Sequence, residues 1–403
     1  MIKKYVKREL YLSKLRALQN KQIIKVITGI RRCGKSVLLK TFRDELDTQG
    51  IINDAIQTYN FEEPEHQIYG SWQDLYRVIK NKLIPHTMNY IFLDEIQNIK
   101  EFEKLVDGLF VQENVDLYIT GSNAYMLSWE LATLLSGRYI EISILPFSFA
   151  EYLDYLWDKT DLQIKFANFM KNGGMPQSIE MFTESQSTGL DYLRGIYTTV
   201  LVKDVMSREW MNDPEALENV LRYLFDNIGS LVSPNNIANY MKTSHKTIDS
   251  RKVEKMLKAV QDAFIIYGVN RFDVRWKENL KTLQKEYLVD TWFQQLLISK
   301  KAGVDTAKLL ENVVYLELLR RGYQVSVGKN NDKEIDFVAR NNGWELEYYQ
   351  VSLTVRNPDT LQRELNGFEV NDNYKKVLIT ADPEENNYDG IRQVNVIRWL
   401  LNY

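Results

Sequence analysis

Residues 29–36 read Gly-Ile-Arg-Arg-Cys-Gly-Lys-Ser, the pattern G-x-x-x-x-G-K-[ST]. Few eight-residue patterns restrict a fold so severely, because this loop works in one setting, between a buried strand and the first turn of a helix. The flanks fit. Residues 23–28 (IIKVIT) are short, apolar and β-branched, and SVLLKTFRDEL behind the loop has the period of an amphipathic helix. Glycines let the backbone curl so that its N–H groups converge on phosphate oxygens. Lys35 is then placed to reach the β- and γ-phosphates, Ser36 to ligate Mg²⁺, and the helix to present its positive end. Gly29, Ile30, Arg31, Arg32, Cys33, Gly34, Lys35, Ser36 and Val37 form the candidate nucleotide site.

The following residues supply the other half of such a site. Strand-like stretches at 55–61, 90–95, 116–122 and 138–145 alternate with helical ones, the pattern of a parallel sheet covered on both faces. YIFLDE puts Asp94 at the carboxyl end of a buried strand, where ligands of open parallel sheets bind. Asp94 would hold Mg²⁺ with Ser36, and Glu95 would polarise the attacking water. The next strand ends in ITGSNA, so Ser122 or Asn123 would stand beside the acids. Arg138, in LSGRY, either completes a neighbouring subunit's site as a finger or caps its own loop. Arg31 and Arg32 are candidates for phosphate or intersubunit contacts. Cys33 is a small filler, or else an oxidisable thiol beside phosphate-binding amides.

Composition removes most other chemistries. The chain of 403 residues has material for roughly two to four domains. It holds one cysteine and three histidines, so no internal disulfide, zinc finger or iron–sulfur cluster can form. No histidine lies in a Ser-His-Asp signature. Carboxylates, Lys, Arg, hydroxyls and backbone amides must do the work, with a hard cation such as Mg²⁺. The net charge of −3 argues against a wholly basic nucleic-acid binder but allows a local basic patch. No run reaches the ~18 apolar residues of a membrane span, so no membrane partner and a cytoplasmic location are expected.

After Pro146 the pattern turns helical, breaks at GGMP (173–176), and resumes over about 190–229. Residues 229–280 then read as a winged helix-turn-helix. SPNNIANYM is a helix capped by Ser233, KTSHKTIDS a turn, and RKVEKMLKAVQ a second helix with Val253, Met256, Leu257 and Val260 on one face. AFIIYGVN and RFDVRWKENL are expected as the paired strands of a wing. From about 305 the chain is α/β again, with LLENVVYLELLRRG a helix and YQVSVGK, EIDFVAR and WELEYYQVSL strands.

The runs GIRRCGKSVLLKTF, YIFLDEIQNI, YITGSNAYML and ATLLSGRYIEISILPFSFAEYL together resemble a prokaryotic AAA-superfamily ATPase group. Its members usually carry a C-terminal domain of unknown function, number 4143 in that series. The likeness continues through GGMP, KEYLVD (285–290), LLENVVYLELLRRGYQV and EIDFV. It implies an α/β multidomain chain: an AAA+-like P-loop domain at 1–150, a helical lid or linker at 151–228, a winged helix at 229–285 and a restriction-endonuclease-like domain at 286–403. ATP and Mg²⁺ are the implied cofactors, and a homo-oligomer is a partner option that Arg138 alone suggests.

Two further constellations follow. Residues 231–260 hold six cations against two acids, and 271–285 hold five against two. A basic recognition helix followed by a basic wing suits duplex phosphates, so Lys246, Arg251, Lys252, Lys255, Arg275 and Lys277 are the candidate DNA contacts. The C-terminal part resembles the PD-(D/E)xK nuclease core, with Glu311 on a helix and Asp336 on a strand. The E-x-K positions, however, read Gln350-Val351-Ser352. Glu311, Asp336 and Gln350 are the candidate second metal set, and no lysine remains at position 352. Lys333 would substitute only if its loop folded back. The sequence thus leaves three functions open: an ATPase acting on DNA, a nucleotide-controlled interaction protein with a degenerate nuclease domain, and an active metal-dependent nuclease.

Overall fold

Three strands of the first sheet, β1 (Ile24–Thr28), β3 (Asn89–Asp94) and β4 (Val115–Gly121), are buried along their whole length. Continuous apolar runs allow this only where helices cover both faces of a sheet. With β2 (Ile56–Asn60) and β5 (Tyr139–Ser143) they form a five-stranded parallel sheet in the order β2-β3-β4-β1-β5. Helices Lys35–Thr48, Trp72–Asn81 and Phe102–Phe110 make crossovers between the strands. Ile24, Val26, Ile91, Leu93, Leu105, Val106 and Ile119 are the centre of one apolar cluster. The structure, a computed structural model, describes residues 5–402 except 68, 70, 125–136, 207–210, 212, 244–247, 298–304 and 371. The helix expected over LSWELATLL lies outside the described residues.

A parallel register brings the carboxyl ends of neighbouring strands to one edge. Thr28 pairs with Gly121, and Leu93, the residue before Asp94, pairs with Ile119. The opposite edge carries a buried ion pair, Lys25 on β1 with Asp116 on β4. Asp116 also accepts the Tyr118 hydroxyl and the Asn20 N–H, both at 2.8 Å. Burial pulls the Lys25 ammonium below its usual range, against the attraction of Asp116. A lysine inside IIKVIT is thus compatible with a central strand because the neighbouring strand brings its counter-charge.

The chain divides into two compact units, residues 1–145 with 262–264, and 146–261 with 265–403. The second differs from the three-part division expected from sequence. One nine-stranded sheet runs through it, in the order β13-β14-β12-β11-β10-β9-β7-β8-β6. Its strands are β6 (Leu231–Val232), β7 (Ile266–Asp273), β8 (Glu278–Leu288), β9 (Gln324–Asn330), β10 (Lys333–Arg340), β11 (Leu346–Ser352), β12 (Lys375–Thr380), β13 (Asn387–Tyr388) and β14 (Ile391–Asn395). The boundary expected at residue 285 falls inside β8, and the parallel pairing of β7 with β9 makes the β7–β8 hairpin and the C-terminal strands one continuous sheet.

Local order within this unit is close to expectation. Helices Pro214–Asp226, Pro234–Thr243 and Ser250–Asp262 precede the β7–β8 hairpin, and β6 pairs with β8. Ser233 accepts the Asn236 N–H at 3.1 Å, as its capping position requires. Val253, Met256, Leu257 and Val260 are the buried stripe of their helix. The hairpin turn falls later than expected. β7 continues to Asp273, whose carboxylate accepts the Arg275 and Trp276 N–H groups at 3.0 and 3.1 Å and so closes the turn there. Further on, helix Thr306–Arg320, β9, β10, β11, helix Pro358–Gly367 and β12 give the order α-β-β-β-α-β.

The GGMP break and the KEYLVD stretch meet. The Gly174 N–H donates to both Asp290 oxygens, at 3.1 and 2.9 Å. Gly173 has φ +75°, and a Cβ there would lie 2.0 Å from Asp290 Oδ1, so only glycine fits. Burial pushes Asp290 up to about 7 despite these amide donors, and burial likewise pushes Glu286 up to about 7. Both carboxyls sit above their unfolded values, so their contribution is full at low pH and is lost as pH rises through about 7. Glu286→Gln removes the charge and keeps the shape. At pH 8 the variant is expected to be more stable than wild type by about 3 kcal/mol, a gain nearly gone by about pH 4.5. Thermal unfolding at the two pH values checks it; coincident melting at pH 8 contradicts a buried, ionisable Glu286.

Candidate nucleotide-binding site

The loop after β1 is shaped by its glycines. Gly29 has φ +146°, and a Cβ on it would stand 2.3 Å from the Ile144 carbonyl oxygen. Gly34, with φ +107°, precedes the helix that begins at Lys35. Arg32 also takes a left-handed conformation, φ +68°, and its side chain is exposed. Ile30 and Cys33 are buried beneath the loop, while Val37 is 38% exposed on the helix above it. Arg8, nearly buried, clamps the floor by donating to the Cys33 carbonyl at 3.2 Å and the Leu145 carbonyl at 2.8 Å.

Lys35 is buried, and its ammonium donates to the Gly29 carbonyl at 3.0 Å and lies 3.2 Å from Glu95 Oε1. Burial works against the charge, but Glu95 outweighs it and holds the ammonium above its usual range. Burial likewise disfavours an ionised Glu95, and Lys35 and Arg31 together overcome it, so the carboxyl stays below its ordinary range. Glu95 closes β3 with φ +54°. Its N–H donates to Thr120 Oγ1 at 2.9 Å, and Gln97 Nε2 donates to its Oε2. Arg31 bridges Glu62, at 2.7 Å, to Glu95, at 3.8 Å.

Asp94 faces a different set. Burial raises its pKa, countered in part by hydrogen bonds from Ser36 and Thr120. A hydroxyl and a carboxylate at the mouth of a curled amide loop are the donors a Mg²⁺–phosphate pair uses, so these residues fit the ion. Ser122, fully buried, receives a hydrogen bond from Gln97 at 3.2 Å and helps hold Glu95. Asn123 follows at the same edge, half-buried. Arg138 does not join this cluster within its own chain. Its carbonyl accepts from Ile24, the first residue of β1, which puts it at the amino edge of the sheet, and its guanidinium pairs with Asp107. Thr120, Gln97 and Arg8 were missed from sequence. Only Thr120 carried a signal, since period-2 spacing puts it on the same strand face as Ser122.

Comparison with known proteins bears on this site. Residues 21–153 match the AAA domain, and residues 163–302 match the Domain of unknown function (DUF8612). The second is a different domain of unknown function from the one expected. An uncharacterized protein of Haemophilus influenzae is 40% identical over 409 residues, covering 100% of both chains. The chain belongs to the same family. An uncharacterized protein of Methanocaldococcus jannaschii is 29% identical, over 86% of this chain and 78% of its own. Among solved structures, the Walker-type ATPase of Pyrococcus abyssi has a TM-score of 0.44 at 16% identity, covering 73% of this chain and 96% of that one. Cdc6p of Pyrobaculum aerophilum has a TM-score of 0.31 at 12% identity, covering 77% and 96%. The first unit of this family member is an AAA+-like ATPase fold, and no described helix is long and apolar enough to cross a membrane.

The remaining expected residues lie in the second unit. Arg251 and Lys255 are exposed on helix Ser250–Asp262, and Lys252 is 2.9 Å from Asp213. Arg275 and Lys277 are exposed at the hairpin turn, where Arg275 binds Asn331 and Lys277 sits 5.2 Å from the Tyr374 ring centre. Lys246 lies outside the described residues. Glu311, Asp336 and Gln350 do gather, but the Gln350 Oε1 is taken by the Asp336 N–H at 2.7 Å. Lys333 does not fold back over them; it pairs with Glu369 at 2.7 Å. The unexpected members are Lys285, 3.1 Å from Glu311, and Glu364, whose Oε2 accepts from Gln350 at 3.0 Å.

Cys33 is the filler rather than the reactive thiol. Its side chain is fully buried against Ile144, and burial pushes the thiol up. The native chain is therefore expected to show no fast-reacting thiol toward a disulfide reagent, and one per chain after denaturation, matching its single cysteine. Rapid labelling of the native protein would contradict this.

Proposed function

We propose that the protein is a Mg²⁺-dependent ATPase of AAA+ type whose nucleotide turnover acts through a DNA-contacting second unit. The observation that carries the proposal is the convergence of Lys35, Ser36, Asp94 and Glu95 at one sheet edge, with Lys35 3.2 Å from Glu95. The amides of residues 29–36 and the Lys35 ammonium would bind the phosphates. Ser36 and Asp94 would hold Mg²⁺, which when bound neutralises charge on the phosphate oxygens. Glu95 is ionised at neutral pH because Lys35 and Arg31 hold it so. It accepts a proton from the attacking water, with Gln97 and Ser122 fixing its orientation. Asn123 stands where a polar group senses the γ-phosphate. Arg138 can contribute only to a neighbouring chain's site, because its own site lies at the other edge of its sheet.

The DNA part of the proposal rests on order and charge. A helix, a short strand, two further helices and a hairpin, with the short strand pairing the hairpin, is the winged-helix order. Arg251, Lys255 and Lys258 are exposed along its last helix, and Arg275 and Lys277 extend the basic face to the hairpin turn. The α-β-β-β-α-β order after it is that of the restriction-endonuclease-like core.

Steady-state ATP hydrolysis tests the reading. Lys35→Ala is expected to lower turnover by roughly 10²-fold or more. Duplex DNA is expected to raise wild-type turnover, with the stimulation falling steeply as salt rises and weakened in Arg251→Ala/Lys255→Ala. Turnover unaffected by Lys35→Ala would overturn the ATPase assignment. Turnover indifferent to DNA would leave a nucleotide-controlled interaction protein.

A further inference from the structure

The acids of the nuclease-like region surround an ammonium. Lys285, on β8, is buried, with Nζ 3.1 Å from Glu311 Oε1 and 2.6 Å from Glu334 Oε1. Glu311 comes from helix Thr306–Arg320 and is held by the Tyr287 hydroxyl at 2.6 Å. Asp336 adds to the same field, since it helps keep the Lys285 ammonium above its usual range against the cost of burial. Asp336 is itself pushed up, first by burial and then by Glu311. Its Oδ2 accepts the Val351 N–H at 2.8 Å.

The polar side chains of Gln350, Glu364 and Ser352 beside these are engaged with protein partners. Gln350 gives its Oε1 to the Asp336 N–H and its Nε2 to Glu364. The other Glu364 oxygen takes Arg363 at 2.7 Å. Ser352, in the position where the nuclease pattern has lysine, turns its hydroxyl to the Thr354 carbonyl at 3.2 Å. Among the described residues no three His, Cys, Asp or Glu side chains are grouped as metal ligands. The divergence from E-x-K therefore has a spatial counterpart. No cation stands at position 352 on β11, and Lys285 on β8 pairs instead with Glu311 and Glu334.

We propose that the Lys285 ammonium is the resident cation of this centre, occupying the place a divalent metal takes in a cutting enzyme, so that the region is a metal-independent, non-cleaving module. This stands apart from the ATPase reading and survives its failure. It also gives the degenerate-nuclease alternative a cause, a lysine that neutralises the acids permanently where a metal would do so reversibly.

The test is a nucleotide-free Mn²⁺ titration of the full chain read by thermal unfolding. Wild type and Asp336→Asn are expected to respond identically. Lys285→Met, which keeps the bulk and removes the charge, is expected to melt roughly 10 °C lower and to recover with Mn²⁺. Adding Asp336→Asn to it should abolish that recovery. A saturable Mn²⁺ response of wild type that Asp336→Asn removes would overturn the proposal. So would a folded Lys285→Met chain that gains no response. If Lys285→Met does not fold, the wild-type and Asp336→Asn comparison decides alone, equal responses supporting the proposal and unequal ones ending it.

Discussion

The contact between Lys35 and Glu95 sets the terms for the rest of the first unit. Two opposite charges are taken almost wholly out of water, which is costly unless each finds the other and further hydrogen bonds. The parallel register supplies both conditions. It brings the helix start after β1 next to the end of β3, and it sets Thr120 of β4 between Asp94 and the Glu95 amide. Glycines at 29 and 34 let the loop approach closely enough for Lys35 to bind the loop's own carbonyl as well. The same geometry keeps Glu95 ionised and Asp94 raised, two adjacent carboxyls with different electrostatic surroundings.

The second unit uses a related device to a different end. Lys285 lies among acids as Lys35 does, but it sits within a strand, β8, and its pairing is with acids of other elements. Its partners come from β10 and from a helix separated in sequence, and the pairing ties the hairpin strand to the α-β-β-β-α-β region. The parallel joining of β7 to β9 works in the same direction. The β7–β8 hairpin and the C-terminal strands therefore belong to one sheet, which is why a division drawn at residue 285 cuts through a strand.

How much of this was legible in the sequence follows from range. The strands of the first sheet and the phosphate loop are local patterns, and they fall within a residue or so of where apolar periodicity puts them. Lys35 and Ser36 could be named from the loop pattern, and Asp94 and Glu95 from their place at a strand end. The hairpin turn was misplaced because one carboxylate, Asp273, decides it by accepting two backbone N–H groups, and such an Asx-type turn leaves no periodic trace. Arg8, Lys285 and Glu364 were invisible for a stronger reason. Each acts on residues 14 to more than 100 positions away, at distances that no spacing rule spans. The Gln-Val-Ser run at 350–352 was visible; the pairing of Lys285 with Glu311 and Glu334 was not.

In the proposed function Glu95 activates the water, while the loop amides and Lys35 hold the phosphates. Single-turnover measurement with labelled ATP and Mg²⁺, comparing wild type with Glu95→Gln, tests this directly. The variant is expected to bind ATP as wild type does and to leave it intact over many wild-type turnover times. Cleavage by the variant at the wild-type rate would contradict the account.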